Sequence, residues 1–112
     1  MERPMTEKVL QHENVVHAES GGRSQSNAAF GFAPAFFDFS TVTVYPSRFA
    51  SGQPAPFHIL DGLPDEVVVD RAPTGRVLSA KPTLISGFER NGYFFTRAAA
   101  ARAVTEWTIA AD

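Results

Sequence analysis

The dipeptide Asn91–Gly92 constrains the fold of this chain more than any other feature. It interrupts a run of strand-forming residues, GFERNGYFFT. A two-residue type I′ hairpin needs positive φ at both central positions, and Asn followed by Gly adopts this geometry at little cost. The sequence therefore predicts an antiparallel hairpin in which Phe88 faces Phe95 and Arg90 faces Tyr93.

The residues around this hairpin predict an α+β arrangement. Thr96 is a suitable N-cap for an alanine-rich helix, and Ala100, Val104 and Trp107 form a narrow apolar stripe along it. Upstream runs of β-branched and aromatic residues predict strands over 37–45, 56–60, 66–71, 76–80 and 83–89. The expected fold is a small antiparallel sheet of four or five strands with one C-terminal helix packed on it.

The N-terminal quarter has a different composition. TEKVLQHENVVHA, residues 6–18, predicts a short helix capped by Thr6, but its apolar face is thin and so short a helix is marginal in water. SGGRSQSNAA, residues 20–29, is small and polar, as linkers are. We expect residues 1–29 to be a flexible arm and linker, and residues 30–112 to form a single α+β domain.

Composition and charge exclude several functions. The chain has 112 residues, a net charge of −2 and no cysteine, which excludes disulfides, iron–sulfur clusters and thiol nucleophiles. No apolar run approaches the roughly 20 residues that span a bilayer. The charged N-terminus lacks the apolar centre of a secretion signal, so we expect a cytoplasmic protein without membrane association. Binding to a phosphate backbone usually needs a basic excess, which the chain lacks.

Motifs for catalysis and cofactor binding are weak. His58, Asp61 or Asp65, and a nearby Ser supply the residue types of a hydrolytic triad, but no G-x-S-x-G string supports such a site. His12 and His17 are five residues apart, whereas metal-binding pairs on a helix prefer three or four. No glycine-rich phosphate-binding string occurs. The sequence thus predicts no catalytic residue, no metal and no cofactor, and a small hydrolase using His58 remains the third hypothesis.

Half of the ten Phe residues lie in one window, FGFAPAFFDF, residues 30–39. One interpretation is structural: the five rings pin the end of the linker against the sheet. The other is functional: Phe30 and Phe32 stay accessible and dock into a partner or a second copy of the chain. Aromatic side chains suit both, because they bury much area for little lost rotamer freedom.

The segments YPSRFASGQPAPFHILDGLPDEVVV, GRVLSAKPTLISGF and NGYFFTR, followed by an alanine-rich helix, carry a resemblance to known proteins. They resemble a group of short proteobacterial proteins encoded in plasmid or integrated-element neighbourhoods, over about residues 41–105. The resemblance brings no activity or site residue. It implies a mobile-element setting, in which small proteins act as accessory factors or as inhibitors of host machinery.

The sequence as a whole favours a non-enzymatic interaction module. Its expected partner is a host protein or protein complex, including a nucleic-acid-guided defence complex that the chain would inhibit in an anti-CRISPR-like role, and a homodimer is a further expectation. The alternative is a single-stranded nucleic-acid-binding module, in which bases stack on rings and arginines meet phosphates. The candidate partner-binding residues are Phe30, Phe32, Tyr45, Arg48, Arg90 and Tyr93.

Overall fold

The predicted hairpin is present. The structure, a computed structural model, describes residues 4–10 and 30–110. Asn91 and Gly92 have φ of 54° and 85°, the positive values that a type I′ turn requires. Phe88 pairs with Phe95 and Arg90 with Tyr93, so the predicted register is confirmed.

Two antiparallel sheets and a C-terminal helix form most of the described domain. The strands are β1 (Met5–Thr6), β2 (Ala33–Asp38), β3 (Thr43–Pro46), β4 (Val68–Arg71), β5 (Val77–Ala80), β6 (Leu84–Arg90) and β7 (Tyr93–Thr96). A 3-10 turn covers Asp65–Val67, and helix α1 covers Arg97–Ala110. One sheet has the order β3-β2-β6-β7 and the other β1-β5-β4.

The predicted α+β class with a C-terminal helix packed on antiparallel strands is therefore confirmed, with the strands divided between two sheets. Thr96 caps α1 as predicted, since its Oγ1 accepts a hydrogen bond from the Ala99 amide at 3.0 Å. The predicted stripe of Ala100, Val104 and Trp107 faces the sheet.

The predicted single strand over 37–45 is wrong, because a turn divides it into β2 and β3. Asp38 is buried at the end of β2, and its Oδ1 accepts hydrogen bonds from the Ser40 amide at 2.9 Å and hydroxyl at 2.6 Å. These bonds bend the chain as an Asx-turn and hold the pKa of the Asp38 carboxyl well below its usual range. Lys81 adds an ion pair at 3.3 Å.

The predicted strand over 56–60 is also wrong. Its residues form an irregular segment held by Ser47, whose buried hydroxyl accepts a hydrogen bond from the Ile59 amide at 2.9 Å and donates one to the Phe57 carbonyl at 2.8 Å. A side chain thus provides bonds that a neighbouring strand provides in a sheet.

The first residues of the predicted arm belong to the folded domain. Met5 pairs with Ala80 and Thr6 with Ser79, and the Met5 and Leu10 side chains are buried. This differs from the expected flexible arm, because two apolar side chains in the core hold residues 5–10 in place. Residues 7–10 are helical, and Thr6 caps them as predicted through its bond from the Val9 amide at 3.2 Å. The remainder of the predicted arm, residues 11–29, lies outside the described residues.

Strand alternation divides the four-stranded sheet into a core face and an outward face. Two clusters cover the core face: Phe36 and Leu84 pack against the second sheet, whereas Phe32 and Phe88 pack under α1. The outward face is the surface formed by Phe37, Val44, Ile85 and Phe94. In the described part of the chain, no helix has the length and apolar character needed to cross a membrane.

Gly87 is required where the outward face crosses β6. An added Cβ would lie 2.3 Å from the Phe95 carbonyl oxygen and 2.4 Å from the Phe94 ring. The absence of a side chain therefore lets the Phe94 ring lie directly over the backbone of β6.

Val42 is the most strained residue of the β2–β3 turn. It has φ of 55° and is 77% exposed. Because a β-branched side chain is disfavoured there, we expect Val42→Gly to raise the free energy of unfolding by about 1 kcal/mol. At Thr41, one residue earlier, φ is not positive, and Thr41→Gly removes a side-chain hydrogen bond to Thr43, so it should lower the free energy of unfolding. Urea denaturation of both variants checks this, and stabilisation by both would contradict the strain argument.

Candidate functional site

Four of the six candidate residues meet at one end of the domain. Phe30 and Phe32 precede β2, while Arg90 and Tyr93 flank the Asn–Gly turn. Trp107 of α1 packs among them. The structure thus brings together side chains that are up to 77 residues apart in the chain (30 to 107).

Arg90 is the centre of this group. Its Nε donates a hydrogen bond to the Phe30 carbonyl at 2.9 Å, and its guanidinium carbon lies 4.6 Å from the centroid of the Trp107 ring. The geometry is that of a cation–π contact. Trp107 also stacks on Phe32, with centroids 5.6 Å apart and an interplanar angle of 8°. Arg90 therefore links the residues just before β2, the hairpin and the helix.

Exposure separates the members of this group. Phe32 is 2% exposed, so the expectation that it stays accessible is wrong. It is buried because Phe88, Phe95 and Trp107 surround its ring. Tyr93, in contrast, is 72% exposed, and Phe30, Arg90 and Trp107 are half-buried.

We call Phe30, Arg90, Tyr93 and Trp107 the hairpin-tip patch. Sequence reasoning assigned Trp107 to the helix stripe alone and missed its place in the patch. Trp107 is the last residue of the apolar stripe on α1, and its ring meets Arg90 of the hairpin. This contact depends on where α1 crosses the sheet. That crossing has no local sequence signal.

The other two candidate residues lie elsewhere. Tyr45 is half-buried on β3, where it packs against the larger core cluster. Arg48 follows β3, is exposed, and donates from Nη1 to the Gly52 carbonyl at 3.1 Å. Because β3 and β7 are opposite edges of a four-stranded sheet, they are about 14 Å apart. Tyr45 and Arg48 are therefore not part of the hairpin-tip patch.

His58 lies in the core, between the rings of Phe36 and Phe88, at 5.6 and 5.3 Å. It is 9% exposed. Its Nε2 is 2.7 Å from the Gly87 carbonyl oxygen, and its Nδ1 is 3.1 Å from Nη2 of Arg97. A carbonyl only accepts and a guanidinium only donates, so these contacts specify a neutral ring with its proton on Nε2.

Burial, together with the neighbouring Arg97 charge, lowers the pKa of His58 to about 4. Both effects disfavour the imidazolium form, so the ring stays neutral near pH 7. Arg97 is buried as well, and its Nε donates to the Ser86 hydroxyl at 3.0 Å. His58 thus orients a buried arginine at the start of α1.

The residues proposed for a hydrolytic triad have other partners. Asp61 accepts a hydrogen bond from the Val77 amide at 3.2 Å, and Asp65 forms an ion pair with Arg71 at 2.7 Å. Ser47 bonds to the 57–59 segment. Over residues 4–10 and 30–110, no group of three or more His, Asp or Glu side chains is arranged to hold a metal ion.

The outward face is a second surface of interest. Phe37 and Phe94 stack with centroids 5.1 Å apart and an interplanar angle of 21°. Val44 and Ile85 flank Phe37 on the neighbouring strands, and all four side chains are half-buried. None of them packs against either of the core clusters in the described domain. Sequence reasoning missed this face because it assumed one continuous strand over 37–45.

Comparison with known proteins identifies no relative of this chain. Neither protein-family models, nor curated proteins, nor solved structures provide a match to the chain.

The burial of Phe32 predicts a structural role. We expect Phe32→Ala to lower the free energy of unfolding by about 3–5 kcal/mol, because it leaves a cavity among three aromatic rings. Phe39→Ala is the matched control: Phe39 is 48% exposed and its loss should cost much less. Thermal and urea unfolding of both variants compare them. Equal effects would contradict the assigned packing.

The lowered pKa of His58 predicts a pH-dependent stability. Between the unfolded value of 6.5 and the folded value of about 4, the unfolded chain binds more protons, so stability falls as the pH falls through this window. The loss amounts to roughly 3 kcal/mol for this shift. His58→Gln keeps a donor and an acceptor but does not titrate, so its unfolding free energy should change less with pH. Urea titrations at several pH values measure both proteins, and identical slopes would refute the assignment.

Proposed function

We propose that this chain is a non-enzymatic protein-binding module and that the hairpin-tip patch binds its partner. The observation that carries the proposal is the 72% exposure of Tyr93 beside the stacked pair of Arg90 and Trp107. Tyr, Trp and Arg are the residue types that dominate binding energy at protein interfaces. An exposed tyrosine next to an ordered arginine and tryptophan suits such a contact.

The patch is also organised before binding. Arg90 is held by the Phe30 carbonyl and by the Trp107 ring, and Tyr93 adjoins a tight two-residue turn. Side chains that are already ordered lose less conformational entropy when a partner arrives. The half-buried rim of Phe30 and Trp107 would help exclude water around the contact.

The resemblance to short mobile-element proteins supports a narrower form of the proposal. In this form the partner is a host protein complex, and the chain acts as an accessory factor or an inhibitor, including an anti-defence role. The surroundings of His58 support a non-enzymatic role, since both ring nitrogens face a carbonyl or a guanidinium within 3.1 Å.

Direct binding of single-stranded nucleic acid is the second candidate, because the sheet carries stacked aromatic rings. The charge distribution favours protein binding over it. Arg71, Arg76 and Lys81 each lie within 4 Å of a carboxylate, and none of the residues that define the outward face is basic. Phosphate contacts supply most of the affinity for nucleic acid, and this surface offers few.

Tyr93→Ala tests the proposed surface. Proteins retained from a lysate of the native host by the tagged chain are identified by mass spectrometry, and a purified partner is titrated calorimetrically. We expect Tyr93→Ala to raise the Kd by at least about tenfold and to leave the Tm nearly unchanged, because the side chain is exposed.

Leu78→Ala is the matched control for this experiment. Leu78 is 49% exposed on β5 of the other sheet, away from the patch, so its removal should leave the Kd unchanged. Loss of binding with Leu78→Ala but not with Tyr93→Ala would place the binding surface on the other sheet and overturn the assignment.

Fluorescence anisotropy with a labelled single-stranded oligonucleotide separates the two candidate functions. We expect no binding at low salt. Binding that weakens steeply as salt increases would instead favour the nucleic-acid candidate, because counterion release has this signature.

A further inference from the structure

We propose that the outward face of the four-stranded sheet binds a second copy of this chain, so that two sheets stack face to face in a symmetric dimer. This surface is distinct from the hairpin-tip patch, which faces the other side of the sheet. The inference therefore goes beyond the proposed function and can fail independently of it.

The outward face has the character of an interface core. The stacked rings of Phe37 and Phe94 occupy its centre, and Val44 and Ile85 flank them. Phe39, the first residue after β2, is 48% exposed and adds apolar surface at the β2–β3 turn. A contiguous apolar surface without charge at its centre marks an association site more often than a solvated face.

The register makes this face complementary to itself. Phe37 pairs with Val44 on one side and with Ile85 on the other. A two-fold axis parallel to β2, between the stacked sheets, exchanges the two flanks. Val44 of one copy then faces Ile85 of the other, and Phe37 meets its own copy on the axis. Aligned sheet packing of this kind is common in β-sandwiches.

The same axis places Pro46 opposite the ring of Phe94. Ala35 pairs with Pro46 on one flank and with Gly87 on the other, and the Phe94 ring lies over Gly87. A proline ring against an aromatic ring continues the apolar contact along β2. The requirement for glycine at 87 therefore shapes the surface that meets the second copy.

Charge complementarity at the rim favours a second copy over other occupants. Glu89 lies on the β6 flank, where it pairs with Ala33 at the start of β2. Arg48 lies beyond β3 on the opposite flank, at the same end, since the Ser47 amide bonds to the Pro34 carbonyl at 2.9 Å. Exchange of the flanks brings Arg48 of one copy toward Glu89 of the other. Opposite charges then meet at the rim, on both sides of the axis.

Sedimentation equilibrium of the full chain tests the dimer. We expect the wild-type protein to have a concentration-dependent dimer mass, and Phe37→Asp to raise the dimer dissociation constant by at least about tenfold. Leu78→Asp places the same charge on an exposed apolar position of the other sheet and should leave the dimer intact. A wild-type protein that is monomeric at all concentrations, or a dimer broken only by Leu78→Asp, would overturn the proposal.

Swapping the charges of Arg48 and Glu89 tests the same dimer if Phe37→Asp does not fold. Arg48→Glu and Glu89→Arg alter exposed or half-buried side chains and should each weaken the dimer, whereas the double variant should restore it. Circular dichroism verifies that all three are folded. Equal dimer constants in the single and double variants would contradict the two-fold arrangement.

The two proposals are distinguished by Tyr93→Ala. This variant should remain a dimer in the centrifuge while losing its partner protein. If Tyr93→Ala dissociates the dimer, the hairpin-tip patch is itself the dimer contact and the outward face is not.

Discussion

The antiparallel pairing of β2 with β6 is the constraint on which the rest of this structure depends. Six consecutive residues of β2 pair with six of β6, from Ala33 opposite Glu89 to Asp38 opposite Leu84. Because side chains alternate across a strand, this register sends Phe36 and Phe88 into the core and leaves Phe37 outside. A shift of one residue would exchange the two faces, so the outward face and the hairpin-tip patch exist only in this register.

The core contains a buried polar pair, His58 and Arg97. His58 lies between the rings of Phe36 and Phe88, and its hydrogen bond with the buried Arg97 joins the irregular 57–59 segment to the first residue of α1. A buried arginine is costly unless its donors have partners, and Ser86 and His58 provide two. Its directional bonds position the helix in a way that apolar contacts alone do not, because apolar contacts have no preferred angle.

The local predictions that succeeded and those that failed differ in their physical basis. The Asn91–Gly92 hairpin and the Thr96 cap are formed by residues next to each other in the chain, so composition is sufficient to predict them. The run over 37–45 looked like one strand because its Asx-turn at Asp38 has no glycine, proline or asparagine to mark it. The segment over 56–60 looked like a strand because its bonds to Ser47 come from about ten residues away in the chain.

The sequence by itself determined the α+β class, the hairpin register and the cap and stripe of the C-terminal helix, because these depend on turn chemistry and periodicity. Only the tertiary structure decided which aromatic side chains are accessible. Phe32 and Tyr93 belong to equally aromatic stretches, yet one is buried under α1 and the other is exposed at the hairpin tip. Their difference arises from where a distant helix crosses the sheet, which is a long-range packing outcome that no local pattern encodes.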